Sequence, residues 1–154
     1  MNAKYTAAIE AYVPHRGAML LIDRLIEHGE QHVVVEADVN GQGLFVRDGA
    51  VPAWVGIEYM AQAISAWSGG HALKRGDPVP LGFLLGSRRM ELHRDSFPCG
   101  STLRIEARCE LFGSNGLGSF ECRILIDGDT AATAIVSVFL PDDAGLYLSS
   151  QESP

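Results

Sequence analysis

The sequence predicts an α+β fold, a strongly curved antiparallel β-sheet wrapped around one long central helix. Three observations predict it. The stretch from Pro52 to Arg75 has the length of a long helix, and between Ala53 and Trp67 only Glu58, Gln62 and Ser65 interrupt apolar or small residues. A surface helix carries one apolar stripe and one polar face, so a helix with so little polar face has to be covered on most sides. It is too short and too interrupted for a membrane span, which takes about 18 or more apolar residues without charge. Second, Thr102 to Phe112 alternates strictly, with Leu103, Ile105, Ala107, Cys109 and Leu111 on one face and charged or hydroxyl residues on the other. That is the pattern of an antiparallel strand with one wet face. Third, the remainder divides into strand-like runs separated by turn clusters.

In chain order, Thr6 to Tyr12 has room for one or two helical turns before Pro14 stops them. Met19 to Ile26 reads as a first strand, His28 to Glu30 as a turn, and the β-branched run Gln31 to Val39 as a second strand. Asn40 to Gly49, with three glycines, is a loop leading to the helix. Pro52 suits the first helical turn, where a missing N–H costs nothing. Gly69 and Gly70 are expected to end or bend the helix, with His71 to Gly76 as a frayed turn and Asp77 to Pro80 as a breaker. Four strands follow: Leu81 to Leu92, with Gly82 and Gly86 marking a bulge or strong curvature, then Thr102 to Phe112, Phe120 to Ile126 and Thr130 to Leu140. Gly113 to Gly118 is a turn, and Asp127-Gly128-Asp129 is a hairpin signal. Residues 1–154 read as one domain, with its core over about 14–140 and a loose polar tail over 141–154.

Composition narrows the function classes. Of 154 residues, 47% are apolar and 20% charged, and the formal net charge is −7. The low charged fraction leans toward a buried self-association surface, and the acidic balance disfavours a general nucleic-acid footprint. Three cysteines without a CxxC pair, and an opening MNAKYTAAIEAYVP without an apolar signal core, point to a reducing, cytoplasmic setting and to no metal centre. No redox cofactor and no membrane partner is expected.

Glu58 is the sharpest candidate for chemistry. A carboxyl group inside an apolar helix must be paired, hydrogen-bonded or proton-bearing, and a proton-bearing acid suits proton transfer. Gln62 lies one turn on and shares its face. A structural acid bonded to backbone or to an arginine is the competing reading. Among five histidines, His28, His32, His71 and His93 fall in turn, strand-edge or surface contexts. His15 stands between Pro14 and Arg16 in a turn, where a structural hydrogen bond is the plainer role. Arg88, Arg89 and Arg94 form a small basic group able to receive a phosphate or an acidic partner, with Arg47 as a further candidate, against the alternative of a solvated strand face. Trp54, Tyr59, Met60 and Trp67 line a tunnel or fill the core, and the core reading fits at least two of them.

Three stretches carry a family resemblance. PHRGAMLLIDRLIE, Pro14 to Glu27, resembles the opening of the 3-hydroxyacyl-[acyl-carrier-protein] dehydratases of fatty-acid synthesis. IEYMAQA, Ile57 to Ala63, resembles their central-helix motif, and Leu81 to Ala107 resembles their strand–turn–strand with a Pro-x-Gly turn. VPAWVGIEYMAQAI more closely resembles a divergent branch associated with aryl-polyene and polyketide-type lipid pathways. The resemblance implies a hotdog fold, dimers or higher assemblies, and a tunnel at the subunit interface for an acyl chain held on the phosphopantetheine arm of an acyl carrier protein. It assigns the catalytic acid to Glu58 and a carbonyl-polarising N–H to Ala53, Trp54, Val55 or Gly56. It also implies a histidine ahead of the helix, contributed across the interface.

That histidine is missing. The family's Gly-His-Phe-Pro-Gly stretch corresponds to GQGLFVRDGAVP here, the histidine position falls near Leu44, and no histidine lies between His32 and His71. The leading expectation is a dehydratase-like protein acting on 3-hydroxyacyl thioesters, as a homodimer with another base, for which His15 is the candidate. The alternatives are a catalytically incomplete subunit of a heterodimeric hotdog dehydratase and an acyl-thioesterase that uses the helix acid to activate water.

Overall fold

Helix α1, Gly56–Arg75, is the longest element of the computed structural model, which describes residues 7–141. Its 20 residues span about 30 Å. A short 3₁₀ turn, Ala53–Val55, runs directly into it. Gly76 ends it in the left-handed conformation, with φ of 79°, and its N–H donates to the carbonyls of Ala72 and Leu73. The helix therefore passes through Gly69 and Gly70, where the sequence predicts an end or bend. Both glycines are points of close approach. A methyl group at Gly69 would overlap the Tyr12 carbonyl oxygen, and one at Gly70 would overlap the His28 ring.

The strands are β1 Arg24–His28, β2 His32–Asp38, β3 Ala50–Pro52, β4 Phe83–Leu92, β5 Ser96–Pro98, β6 Thr102–Phe112, β7 Leu117–Ile126 and β8 Asp129–Phe139. Six of them form one antiparallel sheet in the order β1-β2-β6-β7-β8-β4, and β3 pairs with β5 apart from it. The β7–β8 turn places Asp127 at φ 52° and Gly128 at φ 84°, the two positive values that a tight hairpin turn requires. Along β6 and β7 the inward residues Leu103, Ile105, Ala107, Phe120, Cys122 and Ile124 are buried, as the alternation predicts, but Cys109 is only half-buried and Leu111 is exposed, because the register shifts between them.

The expected strong wrapping of the sheet is corrected by this topology. The six-stranded sheet is open, β1 and β4 are its two edges, and it is neither closed nor strongly curved around the helix. The physical reason lies in the residues before β1. Ile9, Val13 and Ile22 are buried in the same core as Met60, Ala63 and Ile64 of α1. Tyr12 abuts Gly69, and residues 19–21 are bonded to Gln62. This segment closes what the sheet leaves uncovered, so the helix is enclosed without the sheet encircling it.

The same segment explains a second difference. The sequence predicts a strand from Met19 to Ile26, but Gly17–Met19 is a 3₁₀ turn and β1 starts only at Arg24. Gln62 takes backbone groups of Met19 and Leu21 that a strand would offer to a neighbouring strand. The predicted tail falls, from residue 142 on, outside the described residues. Among the described residues no helix is long and apolar enough to cross a membrane.

Candidate functional site

The site is built at the first turns of α1. Glu58 stands in the first turn of the helix and is half-buried, so it borders the core instead of lying inside it. Gln62, one turn on, is fully buried at 0% exposure. Its Nε2 donates to the Glu58 carboxylate at 3.2 Å and to the Met19 carbonyl at 2.7 Å. Its Oε1 accepts from the Leu21 N–H at 2.8 Å. A single side chain thus fixes the carboxylate and ties the chain before β1 to the helix. A neutral donor beside a carboxylate orients it without adding charge.

His15 lies in the segment ahead of β1. Arg16 pins the turn, its Nη1 donating to the carbonyls of Val13 at 2.7 Å and His15 at 2.6 Å. The imidazole is half-buried, and its Nδ1 is buried without a hydrogen-bond partner. Burial pulls the ring's proton affinity below its ordinary value, the Glu58 charge pushes it back up, and Arg16 adds to the lowering. Glu58 and Gln62, paired on one helix face in the sequence, are thus joined by a hydrogen bond, and the Glu58 charge acts on the His15 ring.

The proposed carbonyl-polarising region is the 3₁₀ turn. The Ala53 N–H donates to the Asp95 carbonyl at 2.9 Å and the Gly56 N–H to the Ala53 carbonyl, which narrows the region to Trp54 and Val55. Trp54 is 63% exposed, whereas Tyr59, Met60 and Trp67 are core residues. Burial pushes the Tyr59 phenol up to about 12. Leu44 lies in the loop ahead of β3 and is exposed, as is Met19. A small hollow of about 180 Å³ beneath that loop is lined by Leu44, Phe45, Val51 and Tyr59.

The basic candidates separate. Arg94 is next to the site by chain, since the following residue, Asp95, receives the Ala53 N–H. Arg88 and Arg89 are exposed on edge strand β4, with Arg89 at a positive φ of 53° beside a register shift. A hollow of about 720 Å³ lies on the outer sheet face, and Glu58 is not among its lining residues. It holds Arg89, Arg104, Arg108 and Arg123 against Glu27, Glu91, Glu106 and Glu121, a balanced set with no excess of positive charge. Arg47 donates to the carbonyls of Leu44 and Val46 in its own loop.

His28 is the residue whose environment the sequence reading missed. It is buried at the end of β1; its Nε2 donates to the Trp67 carbonyl at 2.9 Å, and Lys74 donates to its Nδ1 at 3.2 Å. These partners are 39 and 46 residues away, beyond any local pattern. Among the described residues, no group of three or more His, Cys, Asp or Glu side chains is arranged to hold a metal ion.

Comparison with known proteins places this geometry. Residues 7–149 match the family model described as ApeP-like, ApeP dehydratase. The 3-hydroxyacyl-[acyl-carrier-protein] dehydratase FabZ of Deinococcus radiodurans is 31% identical over 125 residues, covering 78% of this chain and 82% of that protein. A chain of the dehydratase heterocomplex ApeI:P from Xenorhabdus doucetiae is 31% identical and superposes with a TM-score of 0.85 over 95% of this chain and 99% of that one. A hypothetical thioesterase from Streptococcus pneumoniae, solved with coenzyme A, is 16% identical over 76% of this chain and 84% of its own, with a TM-score of 0.59, a likeness of fold alone. The chain is a hotdog-fold protein of the ApeP-like dehydratase family, on the aryl-polyene branch of the dehydratase superfamily.

Proposed function

We propose that this chain is the Glu58-bearing subunit of a two-subunit hotdog dehydratase that removes water from 3-hydroxyacyl thioesters carried on an acyl carrier protein. The observation that carries the reading is a site furnished on one side only. Glu58 is oriented by a buried glutamine, while the loop position expected to hold the histidine is the exposed Leu44. The likeness to a chain of the ApeI:P heterocomplex supports a second hotdog dehydratase subunit as the source of the missing imidazole. In this reading the partner's imidazole takes the α-proton. Glu58 gives its proton to the departing β-hydroxyl, which leaves as water, and the electron pair of the broken C–H bond forms the enoyl double bond. The N–H groups of Trp54 and Val55 receive the thioester carbonyl, whose oxygen gains negative charge as the α-proton leaves. Arg94, beside the helix start, and Arg88, on the β4 edge, provide positive charge for the acidic carrier protein.

The test is a product assay by intact mass on a 3-hydroxyacyl chain carried by a carrier protein. This chain alone is expected to leave the mass unchanged, and addition of a histidine-bearing hotdog dehydratase subunit to produce a loss of 18 Da. Glu58→Ala in the complex is expected to lower the rate by about 10²-fold or more. Dehydration by this chain alone would instead favour a self-sufficient enzyme, and release of free acid would favour a thioesterase.

A further inference from the structure

The second half of α1 is tied to the β1–β2 turn by side-chain hydrogen bonds. Trp67 Nε1 and His71 Nε2 both donate to the Glu30 carbonyl, each at 3.1 Å. The His28 ring makes two further links, one from each nitrogen. Nε2 bonds the Trp67 carbonyl at 2.9 Å, and the Lys74 ammonium bonds Nδ1 at 3.2 Å. The chemistry of these partners fixes the state of the ring. A carbonyl oxygen only accepts, so Nε2 carries the proton; an ammonium only donates, so Nδ1 offers its lone pair. The imidazole is therefore held neutral, in a single tautomer, by what surrounds it.

The setting makes that state costly to leave. His28 is buried, and its ring lies against the α1 backbone at Gly70, where an added methyl group would overlap it. A proton at Nδ1 turns the acceptor into a donor, breaks the Lys74 bond and sets two cations at the same 3.2 Å contact. The titratable groups that act on the ring are Lys74 and His71 from α1 and His32 from β2. The His71 ring meets it edge-on at 4.6 Å between centroids, and His32 in turn faces the Glu27 carboxylate of β1 at 3.4 Å. Burial first, and then these neighbours, hold the proton affinity of His28 below its ordinary value, against the opposite pull of the Trp67 carbonyl. His71 differs, because its Nε2 already donates and a second proton on the other nitrogen leaves that bond in place.

We propose that His28 and Lys74 form an acid-released latch, which holds the second half of α1 to the β1–β2 turn while the imidazole is neutral and lets it open once the imidazole takes a proton. A solvent proton adds to Nδ1, and the exposed Lys74 side chain turns out to water. The charged ring then needs solvent that its seat against Gly70 does not admit. Only hydrogen bonds change. In the opened chain the imidazole takes up protons around its ordinary value of 6.5, and in the latched chain only at lower pH. The latch is therefore at full strength above about pH 6.5 and weakens as the pH falls below it. Glu58 stands at the other end of α1, roughly 24 Å from Lys74 along the axis. The latch does not rest on the dehydratase reading.

Hydrogen exchange of the full chain at about pH 7.5 and about pH 5.5, expressed as protection relative to the unstructured rate at each pH, reads the latch. Protection over Trp67 to Arg75 is expected to fall about tenfold at the lower pH, while that of β6 holds. In His28→Gln a carboxamide can still donate to the Trp67 carbonyl and accept from Lys74, but it does not titrate. This variant is expected to keep the protection at the higher pH and to lose the fall. Equal protection of the helix at both pH values in the unsubstituted chain would overturn the latch. So would the same fall in His28→Gln, or a fall shared equally by β6, which would be unfolding of the whole domain. NMR titration of the His28 ring needs no variant at that position. Its midpoint is expected below 6.5, and Lys74→Met is expected to raise it. A midpoint at or above 6.5, or one that Lys74→Met leaves unmoved, would sink the proposal. These readouts need neither substrate nor second subunit, so failure of the dehydratase reading leaves them intact.

Discussion

Gln62 shows how much one side chain holds in this protein. Its amide serves Glu58, Met19 and Leu21 from a fully buried position. Replacing it with leucine keeps a similar volume but leaves the Leu21 N–H and the Met19 carbonyl without their partner. Both groups are part-buried, so each is expected to cost toward the lower end of the about 1–3 kcal/mol of a fully buried orphan. For a domain of this size, a total of about 3 kcal/mol corresponds to a Tm lower by roughly 10 °C. Thermal unfolding of Gln62→Leu measures it, and an unchanged Tm would mean that the amide only aims Glu58. At this scale the sequence was half legible. Glu58 and Gln62 stood out because polar residues inside an apolar helix are rare, and Leu44 stood out because histidine was missing there. The bonds from Gln62 to the chain 41 and 43 residues earlier, and the orphaned nitrogen of His15, depend on how distant segments meet.

The elements follow the same division. Strands β6, β7 and β8 were readable because alternation and hairpin chemistry are local. The early strand was misplaced because a helix side chain competes for its backbone, and α1 runs on past Gly69 because small residues there admit Tyr12 and His28 instead of breaking the helix. Enclosure of α1 was rightly inferred from its composition, but its agent, the segment before β1, carries no periodic signal. Edge strand β4 brings a prediction of its own. Its bulge separates Arg88 from Arg89, and Arg89 joins an outer-face hollow in which carboxylates already match the arginines. Reversing both, Arg88→Glu with Arg89→Glu, is expected to raise the Kd for an acidic carrier protein about tenfold at low salt, about 1.4 kcal/mol. The difference should shrink as salt rises. A low-salt titration with unchanged Kd would move the docking surface elsewhere, with Arg94 the first place to look.

At the scale of the whole molecule, two features remain open. Among the described residues the sheet ends at β1 and β4, and β4 exposes Leu84, Leu85 and Leu92 along an edge that no described strand pairs with. An edge of this kind is a ready template for pairing with another chain. The site has the same incompleteness: an oriented acid on the helix, with exposed apolar side chains at Trp54 in the turn ahead of it, at Met19, whose backbone Gln62 holds, and at Leu44 in the loop before β3. If the proposed partner supplies an imidazole across an interface, Leu44 of this chain stands where a copy of itself would need one. Leu44→His should then let the chain dehydrate a carrier-bound 3-hydroxyacyl thioester without a second kind of subunit. The expected gain is about 10²-fold over the unsubstituted chain alone, the lower range for a positioned general base. Mass spectrometry of the intact thioester measures it, and Glu58→Ala in the Leu44→His background should abolish it. Activity that survives Glu58→Ala would show that the new histidine works without the helix acid. An inert Leu44→His chain, beside an active complex with the second subunit, would show that copies of this chain do not bring position 44 to Glu58. The geometry of pairing, and not the missing imidazole alone, would then make the second subunit necessary.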